Sequence, residues 1–313
     1  MRFGIIGIGR HGLRYAKHLV NDVSSGELVS VSGRMNRDFS GWIEGDGAAV
    51  NFFSDHIEML EGDIDSVVVV TPTGTHHGYV LDALERGKHV LVEKPMAGST
   101  SECMEMMDRA EESGKKLMVS HTLRYNKTVD RLRQIYSGLG DVREIQMEQH
   151  LEPPDRKWLF DRSMARGGVL LNTGVHIFDS LRFITGSEIE PLSCSVFNIE
   201  NPHLEDLAYG KLLIGGSVDG SFCVSRFFRS RGRVIRIRSD SCEIFGDAMN
   251  HMIIGSGDQG GIERVEGEKR ALIPLLEDFI NVIKYDLSPS IGGDAGMKAV
   301  EAAQRCYEIS SGG

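Results

Sequence analysis

Near its start the chain reads Phe3-Gly4-Ile5-Ile6-Gly7-Ile8-Gly9-Arg10-His11-Gly12, an apolar run that ends in closely spaced glycines. The apolar residues predict a buried strand over 3–6, and an amphipathic pattern predicts a helix over 14–20. Between a strand and a helix, the first glycine permits a tight turn, the second admits a pyrophosphate and the third allows close packing. The helix N-terminus then favours the phosphates. The pattern predicts a dinucleotide-binding turn at Gly7, Gly9, Arg10, His11 and Gly12, the alternative being a glycine-rich turn without a ligand.

The first 121 residues alternate short β-branched runs with longer amphipathic stretches. Strands are predicted over 3–6, 28–31, 66–70, 88–92 and 116–120, and helices over 14–20, 77–86 and 101–113. The run Val67–Val70 consists of four valines, which suits a strand that is buried on both faces. Alternation of this kind is typical of a parallel α/β sheet. Residues 1–121 are therefore predicted to form a doubly wound, NAD(P)-binding Rossmann domain.

Residues 122–313 follow a different pattern and are predicted to form a second, α+β domain. Helices are expected over 123–136 and 175–184, and strands over 142–150, 192–199, 208–214, 220–228, 233–238 and 242–245. Two final helices are expected over 272–284 and 294–309, with Asp294 as an N-cap. Successive strands favour a mostly antiparallel, open sheet. The C-terminal helices are candidates for packing back on the first domain.

Composition excludes several classes of protein. Lys and Arg number 35 against 45 Asp and Glu, a formal net charge of −10, so nucleic acid is not an expected partner. The sequence contains no apolar run near the roughly 20 residues of a membrane helix, and its first residues lack the pattern of a signal peptide. The 5 cysteines are scattered, which favours a reducing cytoplasm. No metal is expected, because no His-Glu-x-x-His pattern or ordered ligand cluster occurs.

The end of the second predicted strand bears on the choice of cofactor. In NAD-selective proteins an acidic residue at this place accepts from the ribose hydroxyls. Here the chain reads Ser32-Gly33-Arg34. Ser32 can donate to a 2′-phosphate and Arg34 can pair with it through two parallel hydrogen bonds. The sequence therefore favours NADP, with NAD possible; the alternative for Arg34 is a solvated loop charge.

Glu93-Lys94-Pro95 follows the predicted strand 88–92. The carboxyl ends of strands in an open parallel sheet face the ligand crevice, so a reacting group is expected there. Proline fixes the backbone directly after the lysine. A later segment joins a glycine pair to a polar helix start: Gly167-Gly168-Val169-Leu170-Leu171-Asn172-Thr173-Gly174-Val175-His176-Ile177-Phe178-Asp179.

Together these motifs resemble the glucose–fructose oxidoreductase/inositol dehydrogenase family, written Gfo/Idh/MocA. Thr71-Pro72-Thr73 with His76, and Lys157-Trp158, are similar to further family positions. The resemblance implies an NAD(P)-dependent dehydrogenase or reductase that acts on a CH–OH group of a sugar, polyol or related ring. It also implies a homodimer or homotetramer formed through the C-terminal sheet. The implied cofactor contacts include Thr71, Pro72, His76, Glu93 and Lys94.

By position in the motifs, the resemblance makes Lys94 the catalytic lysine and His176 the catalytic histidine. This is chemically sensible, because an imidazole can move a proton near neutral pH and an ammonium stabilises charge that develops on oxygen. Asn172 stands where the family has an aspartate; it can orient a ligand but cannot accept a proton. Residues 172, 176 and Asp179 share one face if the segment is helical.

Other candidates are Arg124, Tyr125 and Trp158 for substrate, each with simple packing as the alternative. The basic run 226–238 is interpreted as a strand pair around Gly232 with a solvated or interface face. Two alternative hypotheses about the function remain open. One is a cofactor-binding regulatory protein that has lost turnover, favoured by Asn172. The other is a dehydratase or glycosidase that recycles a tightly bound cofactor.

Overall fold

The computed structural model describes residues 1–35, 37–45, 49–153, 155–257, 260–266 and 270–312. The chain forms two compact units, one of Met1–His121 with Leu272–Met297 and one of Thr122–Ala271 with Lys298–Gly313. Among the described residues, no helix combines the length and the apolarity that crossing a membrane requires.

The first unit contains a parallel sheet of six strands in the order β3-β2-β1-β4-β5-β6. The strands are β1 Arg2–Ile6, β2 Glu27–Ser32, β3 Asn51–Phe53, β4 Ser66–Val69, β5 His89–Glu93 and β6 Leu117–Ser120. The helices between them are α1 Arg10–Asn21, α2 Arg37–Glu44, α3 His56–Leu60, α4 His76–Glu85 and α5 Thr100–Ser113. The predicted doubly wound parallel sheet is confirmed. The sequence did not predict α2, β3 and α3, which are short.

Local sequence explains how these elements begin and end. Every residue of β4 is buried, as four apolar or small residues in a central strand require. The side chain of Ser99 accepts from the Glu102 backbone N–H at the start of α5. Gly114 ends the same helix in the left-handed conformation, with φ of 64°.

Residues 272–297 complete the first unit. They contain α9 Leu272–Lys284, whose Phe279 ring lies 6.3 Å from that of Phe3 on β1. The Val119 N–H of β6 donates to the Ile291 carbonyl at 2.8 Å, and Met118 forms an antiparallel bridge with Gly292. This late segment therefore pairs with the outer edge of β6.

The second unit contains an eight-stranded sheet in the order β14-β13-β12-β11-β7-β10-β9-β8. The strands are β7 Val142–His150, β8 Ile189–Phe197, β9 Leu207–Ile214, β10 Val218–Ser225, β11 Gly232–Ser239, β12 Glu243–Asp247, β13 Met252–Gly255 and β14 Gly261–Arg264. Only the β7–β10 pair is parallel among these described strands. The predicted mostly antiparallel open sheet is thus confirmed.

The helices of this unit are α6 Lys127–Gly138, α7 Arg162–Ala165, α8 Val175–Thr185 and the part of α10 Gly293–Ser311 that follows residue 297. The side chains of Phe178 on α8 and Phe222 on β10 meet edge to face with ring centres 5.2 Å apart. That contact joins α8 to the sheet by buried apolar surface.

Three sequence predictions were wrong in detail. The basic run 226–238 is not a strand pair, because residues 226–231 form a loop and the strand β11 begins only at Gly232. The helix predicted from Leu123 is a 3-10 turn, 122–125, followed by α6, because the Asn126 side chain accepts from the N–H groups of residues 128 and 129 and caps a new helix. Asp294 lies inside the first turn of α10, one residue after its start.

Candidate active site

The glycines of the turn after β1 differ in what surrounds them. Gly7 has a φ of +107°, and a Cβ there would lie 2.4 Å from the Val70 carbonyl oxygen. A Cβ on Gly12 would lie 1.9 Å from the Gly7 carbonyl oxygen. Around Gly9, which precedes α1, a Cβ would meet nothing within 4 Å. The exposed Arg10 begins the helix. The turn is therefore packed on the side of Gly7 and Gly12 and open at Gly9, beside the N–H groups of a helix N-terminus.

A buried carboxylate joins this turn to the end of β5. Glu93 is 6% exposed, and its Oε1 lies 2.8 Å from His11 Nε2. The Tyr15 hydroxyl donates to the same oxygen at 2.7 Å, and the Ser120 hydroxyl at 3.3 Å. The Lys94 backbone N–H donates to Oε2 at 3.1 Å. These bonds link α1, β5 and β6 through a single side chain.

The ionisation of Glu93 follows from these partners. Burial raises its pKa, but the charges of His11 and Lys94 and the hydrogen bonds lower the pKa to about 2. Glu93 is thus an anion at neutral pH. The sequence pointed to Glu93 and His11 and missed Tyr15 and Ser120, because a tyrosine in an amphipathic helix and a serine at a strand end give no distinct pattern.

His76 joins the segments that follow β4 and β5. The ring is buried, with Nδ1 2.8 Å from the Pro95 carbonyl oxygen and Nε2 2.8 Å from the Thr71 carbonyl oxygen. Burial lowers its pKa, while hydrogen bonds from the ring to the backbone carbonyls oppose that shift. The Lys94–Pro95 peptide is cis. The structure therefore gives His76 a bracing role within the first unit.

Lys94, Thr71 and Pro72 lie at the carboxyl ends of neighbouring strands of the parallel sheet. β4 and β5 pair in parallel, and each of the three residues follows the carboxyl end of one of them, half-buried. The Thr75 hydroxyl donates to the Thr71 hydroxyl at 2.8 Å. Ligands of open α/β sheets bind outside this end of the strands.

Ser32, Gly33 and Arg34 follow the neighbouring strand β2. The Ser32 carbonyl accepts from the Gly7 N–H at 2.9 Å, which places this segment beside the glycine turn. Ser32 is 2% exposed, whereas Arg34 is exposed. Gly33 has a φ of +148°. Of the two side chains expected to meet a 2′-phosphate, only that of Arg34 is accessible to solvent.

In the second unit, Asn172 lies in a π-helical turn, Leu170–Gly174, directly before α8. Its side chain is buried and donates from Nδ2 to the carbonyl oxygens of Gly167 at 2.6 Å, Gly168 at 3.1 Å and Ala165 at 3.2 Å. Asn172 thus holds the preceding loop against the turn. Residue 172 lies in the wider π turn, whereas residues 176 and 179 lie in α8. The three residues therefore do not belong to one regular α-helix, which was the condition for predicting that they share one face.

His176 is the second residue of α8 and is half-buried. Asp179, one turn later, is 1% exposed and forms an ion pair with Arg124, whose Nη2 lies 2.6 Å from Oδ1. The Arg124 guanidinium also lies 5.4 Å from the centre of the Phe183 ring. Arg124 therefore anchors α8, with Nε and Nη2 committed to Asp179.

The remaining sequence candidates lie in short turns. Tyr125 is half-buried at the end of the 3-10 turn 122–125. Trp158 is half-buried in a second 3-10 turn, Lys157–Phe160, in which Lys157 is exposed.

A cavity of about 150 Å³ opens beside Asn172 within the second unit. It is lined by Pro153, Leu159, Phe160, Gly168, Val169, Asn172, Glu200, Asn201, Glu205, Asp206 and Arg226. The sequence analysis did not identify Arg226 as a site residue, because Arg226 belongs to the basic run 226–238, which was interpreted as a solvated or interface face. The position immediately after β10, rather than within a strand, brings its side chain to the cavity.

Comparisons with known proteins agree with this architecture. A sequence model described as an oxidoreductase family with an NAD-binding Rossmann fold matches residues 1–121. A model described as the GFO/IDH/MocA C-terminal domain matches residues 131–249. The solved aldose-aldose oxidoreductase from Caulobacter crescentus, complexed with glycerol, has the same fold, with a TM-score of 0.88 at 20% identity over 100% of this chain and 98% of that one.

Several relatives have names that state a dehydrogenase activity. The UDP-N-acetylglucosamine 3-dehydrogenase of Acidithiobacillus ferrooxidans is 26% identical over 97% of this chain and 95% of that protein. The scyllo-inositol 2-dehydrogenase (NAD(+)) of Bacillus subtilis is 28% identical over 66% of this chain and 60% of its own length. The scyllo-inositol 2-dehydrogenase (NADP(+)) IolW of the same organism is 26% identical over 70% of this chain and 63% of its own. Both cofactors therefore occur among the relatives.

Proposed function

Because this chain belongs to the GFO/IDH/MocA family of oxidoreductases, we propose that it transfers a hydride between NADP(H) and a secondary alcohol or ketone of a sugar or polyol. The observation that carries the proposal is the glycine turn. It is open only at Gly9, in front of the first N–H groups of α1. A helix N-terminus at the end of a parallel strand suits a pyrophosphate.

The residues of the first unit fit a dinucleotide. Gly9 leaves room for the pyrophosphate, and Thr71 and Pro72 lie at the same strand edge as Lys94. Arg34 favours NADP over NAD, because it is exposed and follows β2, where an acidic residue would select NAD. When bound, the nicotinamide supplies hydride chemistry that no side chain can supply.

We assign the acid–base work to Lys94 and His176. The Lys94 ammonium donates a hydrogen bond to the reacting oxygen and stabilises negative charge there. His176 takes the hydroxyl proton on oxidation and returns it on reduction. Glu93 accepts from the Lys94 backbone N–H, which fixes the backbone that carries the lysine. Asn172 has a supporting role, because its amide holds the loop before α8.

The test has two steps. Fluorescence titration with NADPH and NADH should show tighter binding of NADPH. In a panel of substrates, a polyol with NADP+ should then raise the absorbance of the reduced cofactor, or an aldose with NADPH should lower it. Lys94→Ala should abolish turnover while it leaves cofactor affinity within a few fold. Arg34→Ala should weaken NADPH much more than NADH. Equal weakening of both cofactors would refute the role given to Arg34.

A regulatory protein without turnover is the second candidate. The observation that favours it is Asn172, an amide whose donors are bonded to backbone carbonyls, in the place of a family carboxylate. Tight NADPH binding with no turnover on any member of the panel would support this candidate. Product formation without net change of the reduced cofactor would instead indicate an enzyme that recycles it.

A further inference from the structure

The cavity beside Asn172 contains a guanidinium with unused donors. Arg226 Nη2 donates to the Thr173 hydroxyl at 2.7 Å. Within the described residues that is the one hydrogen bond of its side chain, and no carboxylate forms an ion pair with it. Burial lowers the pKa of Arg226 to about 10, the charge of Arg156 adds to that shift, and the charge of Glu205 opposes it. A guanidinium carries five N–H donors, so most of them lack a protein acceptor here.

Of the three described acidic residues that line the cavity, Glu200 is exposed, and Asp206 and Glu205 are bonded to other parts of the protein. Asp206 is buried and accepts from the N–H groups of residues 199 and 200 at 2.7 Å each and from that of residue 201 at 2.9 Å. Glu205 accepts from the Tyr307 hydroxyl at 2.5 Å and from the Leu170 N–H at 3.1 Å. Burial raises the pKa of Glu205, and its hydrogen bonds oppose that shift. In the part of the chain that the structure describes, Asp206 and Glu205 thus bond to backbone N–H groups and to Tyr307 rather than to Arg226.

The shape and position of the cavity limit what that ligand can be. Arg226 bonds to Thr173, the neighbour of Asn172, in the turn that leads into the helix of His176. Leu159, Phe160 and Val169 supply apolar wall on other sides. Arg226 is the one cationic residue among the described residues that line the cavity, and its planar fork matches the two oxygens of a carboxylate.

We propose that Arg226 binds the carboxylate of a sugar acid, so that the substrate class is a uronate or aldonate rather than a neutral polyol. This inference rests on the proposed function. Arg226 then determines specificity, while the proton and hydride steps belong to other groups. A buried, hydrogen-bonded charge pair of this kind changes affinity by about ten- to a hundredfold.

The test compares matched acids and neutral sugars by isothermal titration calorimetry on the NADPH complex. The pairs are D-glucuronate with D-glucose, D-galacturonate with D-galactose and D-gluconate with D-glucitol, with D-glucose 6-phosphate as a separate arm. At least one acid should bind at least about tenfold more tightly than its neutral partner. Arg226→Met should remove that preference, and Arg226→Lys should keep part of it. Arg229→Met, which changes an exposed arginine in the same loop, should keep it fully.

Three results would overturn the inference: no acid binds more tightly than its partner, the sugar phosphate binds more tightly than every acid, or Arg226→Met keeps the preference. Loss of the preference in the Met variant, with unchanged NADPH affinity and unchanged urea unfolding, supports it and excludes simple unfolding. The proposed function fails separately, since it falls if NADPH itself does not bind. If NADPH binds and neutral polyols are oxidised by NADP+ while the acids show no preference, only the assignment of Arg226 is wrong.

Discussion

At the scale of single residues, the buried Glu93 carboxylate links pH to stability. Its folded-state pKa of about 2 lies below the ordinary value of 4.5. A group with a lowered folded-state pKa stabilises the fold above its unfolded-state pKa, and this contribution is lost as pH falls towards the folded-state value. The difference corresponds to about 3 kcal/mol.

Glu93→Gln should therefore lower the free energy of unfolding by about 3 kcal/mol at pH 7, with the deficit shrinking between pH 4.5 and 2. Urea unfolding of both proteins across this range measures the effect. Glu105→Gln is the control, because Glu105 also bonds a histidine, His77, but is exposed. It should cost less than about 1 kcal/mol. A deficit for Glu93→Gln that stays constant with pH would contradict the lowered pKa.

Asn172→Asp tests whether the fold needs the N–H donors of the Asn172 amide. An aspartate would face the carbonyls of residues 165, 167 and 168, so burial and these oxygens should raise its folded-state pKa. The variant should then be most stable below the unfolded-state pKa of about 3.9 and lose stability as pH rises, by about 2 kcal/mol at pH 8. Thermal unfolding at pH 4 and pH 8 checks this. Asn198→Asp, a change at an exposed asparagine that also donates to a carbonyl, should show little of the effect.

The same residue shows where sequence reasoning stops. The motif identified Asn172 as a candidate site residue. Its three hydrogen bonds to the preceding loop could not be predicted, because they depend on the backbone geometry of that loop. Arg124 is similar, because its partner Asp179 is distant in sequence and a solvated or substrate-binding arginine would look identical. Glu93 was identified because it stands inside a recognisable motif at a strand end.

At the scale of elements, the glycines of the turn after β1 differ in role: Gly12 is needed for packing, and Gly9 is expected to be needed for binding of the cofactor. Gly12→Ala places a Cβ 1.9 Å from the Gly7 carbonyl oxygen, so the start of α1 must move and the unfolding free energy should fall by more than about 3 kcal/mol. Gly9→Ala meets no atom within 4 Å and should cost at most about 1 kcal/mol. It should still weaken NADPH at least about tenfold, because the methyl group occupies the side open to a pyrophosphate.

Urea unfolding and NADPH titration of the two variants provide the comparison. Gly41→Ala is the control, since a Cβ there also meets nothing within 4 Å but lies on α2. Unchanged NADPH affinity in Gly9→Ala would show that the phosphates do not approach this glycine.

Helices and strands with a clear periodicity of apolar residues could be predicted, and those without such a periodicity could not. Val142–His150 was predicted with its observed bounds, because buried residues alternate along the strand. Asn51–Phe53 was missed, since three residues cannot show a period. The basic run was mispredicted for another reason. It mixes basic and apolar side chains as a strand with one solvated face would, but residues 226–231 form the loop that leads from β10 to β11, two strands separated by β7.

At the scale of the whole molecule, the chain carries 2 tryptophans, one in each unit: Trp42 in α2 and Trp158 in the turn Lys157–Phe160. Trp158→Phe leaves Trp42 as the reporter of the first unit. NADPH at about 100 times its dissociation constant should raise the stability that Trp42 reports by about 2.7 kcal/mol. NADH at the same concentration should raise it less. Urea unfolding followed by Trp42 fluorescence measures both, and equal shifts would contradict the preference for NADP.

The pairing of residues 291–292 with β6 has a consequence for synthesis on the ribosome. The strand β6 emerges well before the segment that covers its outer edge. At about 5–20 residues per second, the nascent chain exposes that edge for several seconds or more. An unpaired edge is a template for strands of other chains. Premature termination near residue 121 should therefore yield a fragment that aggregates, whereas release after residue 297 supplies the strand's own cover.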